Sequence, residues 1–182
     1  MNVVGIVSSS LFPGIPDSDF FSLGSITVTD TTTSTATISN IPSGYKHLQV
    51  RWMASNNGAT NDANVTIRFN GDTGSNYSWR HTYSTAVSPN TSSNYGNSGS
   101  GATSMSLARA VGNAGGTLFA CGIIDILDYS NTSKNKNISS VYGNARGANA
   151  TTDQYMFVGG GSWSSTAAIT SISPLIIKSA HS

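Results

Sequence analysis

The chain has 182 residues, of which 37% are hydrophobic and only 9% are charged, and its formal net charge is +1. A chain of this length can bury a core of its own, so a single folded domain is expected. Its 9 basic residues are balanced by 8 acidic ones, which argues against a nucleic-acid partner, because phosphate binding needs clustered Lys and Arg. No basic signal-peptide region and no apolar run of the ~20 residues that span a bilayer is found, so neither secretion nor a membrane partner is predicted.

Residues 1–23 are predicted to form an irregular, extended N-terminal arm that precedes a β-sandwich domain at 24–182. Pro13 and Pro16 interrupt any regular element in the arm. Its apolar side chains are too many for so short a segment to bury alone, so the arm is expected to cover either its own domain or a partner subunit. The candidate interface residues in this arm are Leu11, Phe12, Ile15, Phe20 and Phe21.

After the arm, residues 24–29 and 33–38 are predicted to pair as a Thr-rich hairpin. The segments around Val50 and Ile67 then alternate strictly between apolar and polar residues, which predicts two strands with one face on a core. The second of these strands runs into 70–76, where Asn, Gly, Asp and Ser predict a chain reversal.

Residues 84–101 are rich in Ser, Asn and Gly and are predicted to form a long loop. The most apolar segment, 117–129, is predicted to be a strand covered on both faces, by the domain or by another subunit. Its single cysteine, Cys121, is interpreted as a small core residue. Residues 136–142 return as the second strand of a hairpin.

Residues 155–158 and 167–172 are predicted to be strands separated by a run of three glycines. A final edge strand is predicted from three apolar residues that are also candidate interface residues, namely Leu175, Ile176 and Ile177. No helical periodicity is found, and about nine or ten short strands with polar turns favour an all-β fold, a single antiparallel β-sandwich of jelly-roll-like type.

The sharpest apparent catalytic motif is the tetrapeptide that begins at Asp72, which is similar to the signature of aspartic proteases. A second copy is absent, and a tight turn is the favoured interpretation, with a retroviral-type protease as a remote alternative. His47, His81 and His181 lack the spacing of metal ligands. The sequence therefore predicts no enzyme, no catalytic residue, no metal and no cofactor.

Aromatic side chains near loops are the only candidates for contact with a ligand. Trp52 lies on the apolar side of its strand and is interpreted as core, whereas a flat ring near a loop can stack on a sugar. The possible ligand-facing residues are Trp79, Tyr83 and Trp163.

Four blocks of the sequence, taken in order, resemble a group of small β-sandwich virion structural proteins of tailed bacteriophages, notably those of cyanobacteria. The blocks are IPSGYKHLQVR (41–51), IRFNGDTGSNY (67–77), IDILDYSNTSKNK (124–136) and WSSTAAITSI (163–172). Related chains continue past the last block into a further strand, and the N-terminal arm matches no block. Both ends of the chain are therefore expected to make assembly contacts.

The resemblance implies a non-enzymatic structural protein located in the virion and assembled in the host cytoplasm. Within that class, low charge and an apolar arm favour a capsid decoration, or cement, protein that stabilises the shell. Its expected partners are further copies of itself, as a homotrimer, and the major capsid protein or neighbouring virion proteins. The alternative is a tail-fibre or baseplate component that acts as a receptor-binding adhesin, for which host-surface glycan would be the ligand.

Overall fold

The computed structural model describes residues 2–9, 20–28, 35–56, 62–88, 91–112, 119–144 and 155–177, and every regular element in these ranges is a strand. In chain order the strands are β1 (Asn2–Ser9), β2 (Phe21–Val28), β3 (His47–Asn56), β4 (Asp62–Phe69), β5 (Tyr77–Ser88), β6 (Thr91–Ala102), β7 (Met105–Gly112), β8 (Ala120–Leu127), β9 (Lys136–Asn144), β10 (Tyr155–Trp163) and β11 (Ile172–Ile177).

The strands form two antiparallel sheets that pack together, which confirms the predicted β-sandwich. The larger sheet has the order β2-β1-β3-β8-β9-β10-β5-β6. The smaller sheet has the order β11-β4-β7. Two parallel pairs, Ser55 with Val111 and Asn56 with Gly112, join the end of β3 to β7 and connect the sheets.

The core lies between the sheets and is filled by the alternating residues that the sequence places on one side of each strand. Leu48 and Val50 of β3 are each 1% exposed, and Ile67 and Phe69 of β4 are 1% and 0% exposed. Across the core, the hydroxyl of Ser140 donates a hydrogen bond to the carbonyl oxygen of Leu107, at 3.4 Å. The period-two pattern therefore identified the inner face of both organising strands correctly.

The run Gly159–Gly160–Gly161 lies inside β10 and does not separate two elements. A Cβ at Gly161 would lie 2.5 Å from the carbonyl oxygen of Ser78 and 2.8 Å from the sulfur of Met105 in the opposite sheet. A Cβ at Gly159 would lie 2.7 Å from the Cβ of His81. The glycines are needed because β5 and β7 approach the backbone of β10 this closely.

The described part of the predicted arm is regular structure, so the prediction of irregular backbone is wrong there. Residues 2–9 form β1, which pairs with β3 from Val3–Met53 to Ser9–His47 and also with β2. The segment is rich in β-branched residues, which favour a strand beside an open edge. The division of the chain after residue 23 stays a prediction, and that point falls within β2. Leu11, Phe12 and Ile15 lie outside the described residues.

Two further predictions failed because a neighbouring strand decided the structure. The predicted hairpin of 24–29 with 33–38 is wrong, since β2 pairs with β1 while Ile38 bridges Ile172. The predicted loop at 84–101 is largely strand, because β5 and β6 form a long hairpin. Small polar residues have low strand propensity, but pairing along a whole strand outweighs it.

Only the last residue of the segment predicted as a strand at 167–172 belongs to one, β11. The preceding residues are held as a loop, because the backbone N–H groups of Thr170 and Ser171 donate to Oδ1 of Asn70, at 2.8 and 3.1 Å. Side-chain hydrogen bonds of this kind compete with strand pairing.

Among the described residues, strand β8 is covered on one face only, by the sandwich core, and cover of its other face by another subunit stays a prediction. Ala120, Ile124 and Ile126 are buried, whereas Ile123 and Leu127 are 39% and 54% exposed. Cys121 is also exposed, so its interpretation as a core residue is wrong. In the described part of the chain, the smaller sheet does not cover the outward side of β8.

We predict that Gly161→Ala destabilises the protein, because the added Cβ would overlap backbone and the Met105 side chain. Overpacking of this kind costs about 1 to 3 kcal/mol. Gly44→Ala is the matched control, since a Cβ there meets nothing within 4 Å. Chemical denaturation of the two variants checks this, and equal stability would contradict it.

Candidate functional site

The Asp72 motif is a turn that links the two sheets. The chain leaves β4 through Asn70 and Gly71, both with positive φ (52° and 67°). Oδ1 of Asp72 then accepts a hydrogen bond from the Gly74 N–H at 2.8 Å. This geometry confirms the predicted chain reversal.

The second carboxylate oxygen of Asp72 reaches β10. Oδ2 accepts hydrogen bonds from Nε1 of Trp163 at 2.7 Å and from Nδ2 of Asn76 at 2.9 Å. These donors lower the pKa of Asp72 below its usual value, since each favours the ionised form, and the hydrogen bond from Trp163 has the largest effect. Both oxygens of the carboxylate are thus engaged in holding the turn to the sandwich.

Trp163 is a core residue, and its interpretation as ligand-facing is wrong. It is 2% exposed, and its ring centroid lies 5.6 Å from that of Phe69 and 6.4 Å from that of Tyr77. A tryptophan beside a loop can be buried when its N–H finds an acceptor, which Asp72 supplies here.

Trp79 and Tyr83 are half-buried and belong to the inner side of β5. Trp79 stacks on His81 with centroids 5.2 Å apart, and Tyr83 stacks on Phe157 at 4.7 Å. A Cβ at Gly99 of β6 would lie 2.5 Å from Nε1 of Trp79, so this ring also lies close against its neighbouring strand. The ligand-facing role of Trp79 and Tyr83 stays a prediction for the exposed part of each ring.

A fully buried lysine, which the sequence analysis did not single out, organises the loops at the same end. Lys136 is 0% exposed, and its Nζ donates to the carbonyl oxygens of Asn131, Lys134 and Thr166 at 2.5, 3.0 and 3.2 Å. Burial lowers the pKa of this ammonium group. The sequence signal for this burial is the position of Lys136 in β9, because it lies on the same side of the strand as the inward residues Ile138 and Ser140.

The candidate interface residues at the two ends of the chain lie in different environments. Phe20 is 45% exposed, with the Arg51 guanidinium carbon 5.8 Å from its ring centroid. Phe21 lies 6.2 Å from the Tyr45 ring. The last strand is supplied by the chain itself, since Leu175, Ile176 and Ile177 pair with Thr66, Val65 and Asn64 of β4. Their role in assembly stays a prediction.

The outward side of the larger sheet carries exposed apolar side chains on β3, β8, β9 and β10. We call this set the outer apolar face. Its members are Met53, Ile123, Val141, Met156 and Val158, with exposed fractions of 38%, 39%, 54%, 66% and 58%. The strand pattern of β8 predicted cover by the domain or by another subunit, whereas the outward residues of β9 and β10 carried no such prediction.

No protein-family model, no curated protein and no solved structure matches this chain. Across the described ranges, no helix has the length and apolar character to cross a bilayer. In the same part of the chain, no three or more His, Cys, Asp or Glu side chains are grouped so as to hold a metal ion.

We predict that Asp72 contributes acid-sensitive stability. Its folded-state pKa lies below the unfolded value of 3.8, so its contribution is present above that pH and is lost as pH falls through the folded-state pKa. Asp72→Asn should lower the thermal unfolding midpoint at pH 6. It should also make the further fall of that midpoint between pH 5 and 2 smaller than in the wild-type chain. Asp125→Asn is the control carboxylate, and thermal unfolding against pH is the measurement. An unchanged acid profile in Asp72→Asn would refute the role.

We predict that Lys136→Met destabilises the protein by roughly 3 kcal/mol, because it leaves carbonyl groups in the loop cluster without their donor. Lys134→Met removes an exposed lysine from the same turn and is the control. Urea unfolding measures both variants. A loss in Lys134→Met as large as that in Lys136→Met would contradict the role of the buried ammonium.

Proposed function

We propose that this chain is a structural component of a bacteriophage virion, and specifically a capsid decoration protein that binds and stabilises the shell. The single observation that carries the proposal is the outer apolar face, which a rigid sandwich presents to its surroundings. A contiguous group of exposed apolar side chains is typical of surfaces that bind another protein. Low charge reduces the electrostatic cost of packing many copies together.

The positions of the four resemblance blocks support the proposal, because all four meet at one end of the sandwich. The hydroxyl of Tyr129 donates to the carbonyl oxygen of Pro42, which connects the third block to the first. Nε1 of Trp163 bonds to Asp72, which connects the fourth to the second. The backbone N–H of Ile169 donates to the carbonyl oxygen of Tyr129 at 2.9 Å, which connects the fourth block to the third. The four blocks therefore form one interconnected structural unit.

In this role the protein works by adding buried area between capsid subunits. Its partners are further copies of itself, as a homotrimer, and the major capsid protein, and its location is the virion surface. Each contact that is buried only in the assembled shell raises the free energy needed to separate subunits, which opposes internal pressure. No chemical step is required of the chain.

A tail-fibre or baseplate adhesin is the second candidate, favoured by a shallow depression with several polar groups on the same side of the sheet. Its volume is about 390 Å³, and its lining includes Ser78, Arg80, Asn137 and Ser162. The hydroxyl groups of Ser78 and Ser162 lie 2.9 Å apart. Hydroxyl, amide and guanidinium groups together suit a host-surface glycan.

We predict that purified virions contain about one copy of this protein per copy of the major capsid protein, or one trimer at each threefold position of the shell. Quantitative mass spectrometry of particles against the major capsid protein measures the ratio. A handful of copies per particle would exclude decoration and favour the tail. Complete absence from particles would refute both virion roles.

A further inference from the structure

The most apolar strand of the chain, β8, is covered on one side only. On its other side the outer apolar face continues across three more strands, and each of its members is between 38% and 66% exposed. Single exposed apolar residues are normal, but a contiguous group of them marks an interaction surface. The register of the strands shows that this group is contiguous.

Two adjacent rows across the sheet contain all of these residues. One row runs from Arg51 through Ile123, Val141 and Val158 to Thr82. The next runs from Met53 through Cys121, Gly143 and Met156 to Ser84. Directly opposed residues on one face of a sheet have Cβ atoms about 5 Å apart, so both rows are continuous.

The row on the other side is polar and contains one acidic residue on β8 and one basic residue on β5. It runs from Gln49 and Asp125 through Ser139 and Gly160 to Arg80. Nε2 of Gln49 donates to Oδ1 of Asp125 at 2.9 Å, which places the carboxylate on this surface. An apolar centre beside a polar, charged margin is the composition of a protein–protein interface.

We propose that the outer apolar face packs against the same face of a second copy of this chain, about a two-fold axis that runs parallel to β9. Such an axis places β8 of one copy over β10 of the other, and β3 over β5. Arg80 of each copy then lies above the Gln49–Asp125 pair of the other. Within this row the charges are therefore self-complementary, as a two-fold interface requires, while Arg51 of the adjoining row, whose Nε donates to Oε1 of Gln49 at 2.8 Å, faces Thr82 of the other copy.

The dimensions of the face fit this partner. Five strands about 4.8 Å apart, each contributing about seven residues of 3.3 Å, span a plane of roughly 500 Å². A standard interface buries ~800 Å² of accessible surface per partner, which a side-chain-covered plane of this size approaches. The small residues Ser139, Gly143 and Gly160 leave the surface low enough for two sheets to approach at about 10 Å.

The inference rests on the proposed function and deepens it, because it assigns the outer apolar face to contact between copies of the chain and leaves contacts with the major capsid protein to other surfaces. A two-fold contact is separate from the three-fold contacts of a trimer, so it would join two trimers or two single chains in pairs. Its failure is distinguishable from that of the proposed function, because copy number in virions does not enter the experiments below.

Sedimentation velocity over a range of concentrations tests the surface. We expect the wild-type chain to pair, and Val141→Lys to weaken pairing by at least about tenfold, because a charge would be buried at the centre of the face. Thr73→Lys adds the same charge on an exposed turn and should pair like wild type. Circular dichroism confirms folding of both variants. A wild-type chain that stays monomeric, or equal weakening by both variants, would overturn the proposal.

Charge reversal tests the symmetry. D125R and R80D should each self-associate poorly, because each homodimer would oppose like charges twice. An equimolar mixture of the two should pair about as well as wild type, since every contact then joins opposite charges. Neither variant can restore the contact between opposite charges by itself, so pairing in the mixture must occur between the two variants. Failure of the mixture to pair, with both variants folded, would overturn the two-fold arrangement.

Chemical labelling of the single cysteine tests whether the outer apolar face is covered, and it needs no mutation. Cys121 lies within the apolar rows and is exposed in one copy. We expect a thiol reagent to label it quickly in dilute protein and at least about tenfold more slowly when the protein is concentrated, with no such slowing in Val141→Lys. Slow labelling at every concentration would show that another part of the same chain covers the face, which would overturn the proposal.

Discussion

The hydrogen bond between Trp163 and Asp72 is the contact on which the end of the sandwich depends. It connects the last residue of β10, in the larger sheet, to the turn that leaves β4, in the smaller one. A buried indole N–H without an acceptor costs about 1 to 3 kcal/mol. Asp72 removes that cost and at the same time shapes its own turn through Gly74. One carboxylate thereby couples local turn geometry to the packing of two sheets.

Lys136 acts in the same region by a different route. Its ammonium group is surrounded by backbone carbonyls, which lets three loop positions meet around one buried cation. A chain with few charged residues thus uses two of them, Asp72 and Lys136, inside its framework. The polar residues Ser, Thr and Asn supply the remaining loop contacts, as Asn70 does for 170 and 171. Because of these hydrogen bonds, the loops connect the two sheets at this end of the sandwich.

That plane has two sides with different roles. The inner side is a close-packed row of aromatic rings, in which Tyr142, Phe157 and Tyr83 stack with centroids 4.1 to 4.7 Å apart. Glycines in β10 make this packing possible by removing side chains where β5 and β7 approach. The outer side carries the apolar residues that a second protein can cover. The proposed structural role uses both sides, because the packed inner side holds the sheet in place while a partner covers the outer side.

Much of the fold was predictable from the sequence, because alternation in β3 and β4 is a local signal of which face meets a core. The Asp72 turn was predictable for the same reason, since Asn, Gly and Asp shape their own backbone. Composition misled at 84–101, at Trp163 and at Cys121, because partners distant in the chain decide whether a segment pairs or a side chain is buried. The sequence by itself determined the inner faces of β3 and β4, the turn at Asp72 and the low charge of the chain. Only the tertiary structure decided which apolar residues stay outside, since exposure depends on whether a second sheet reaches that face.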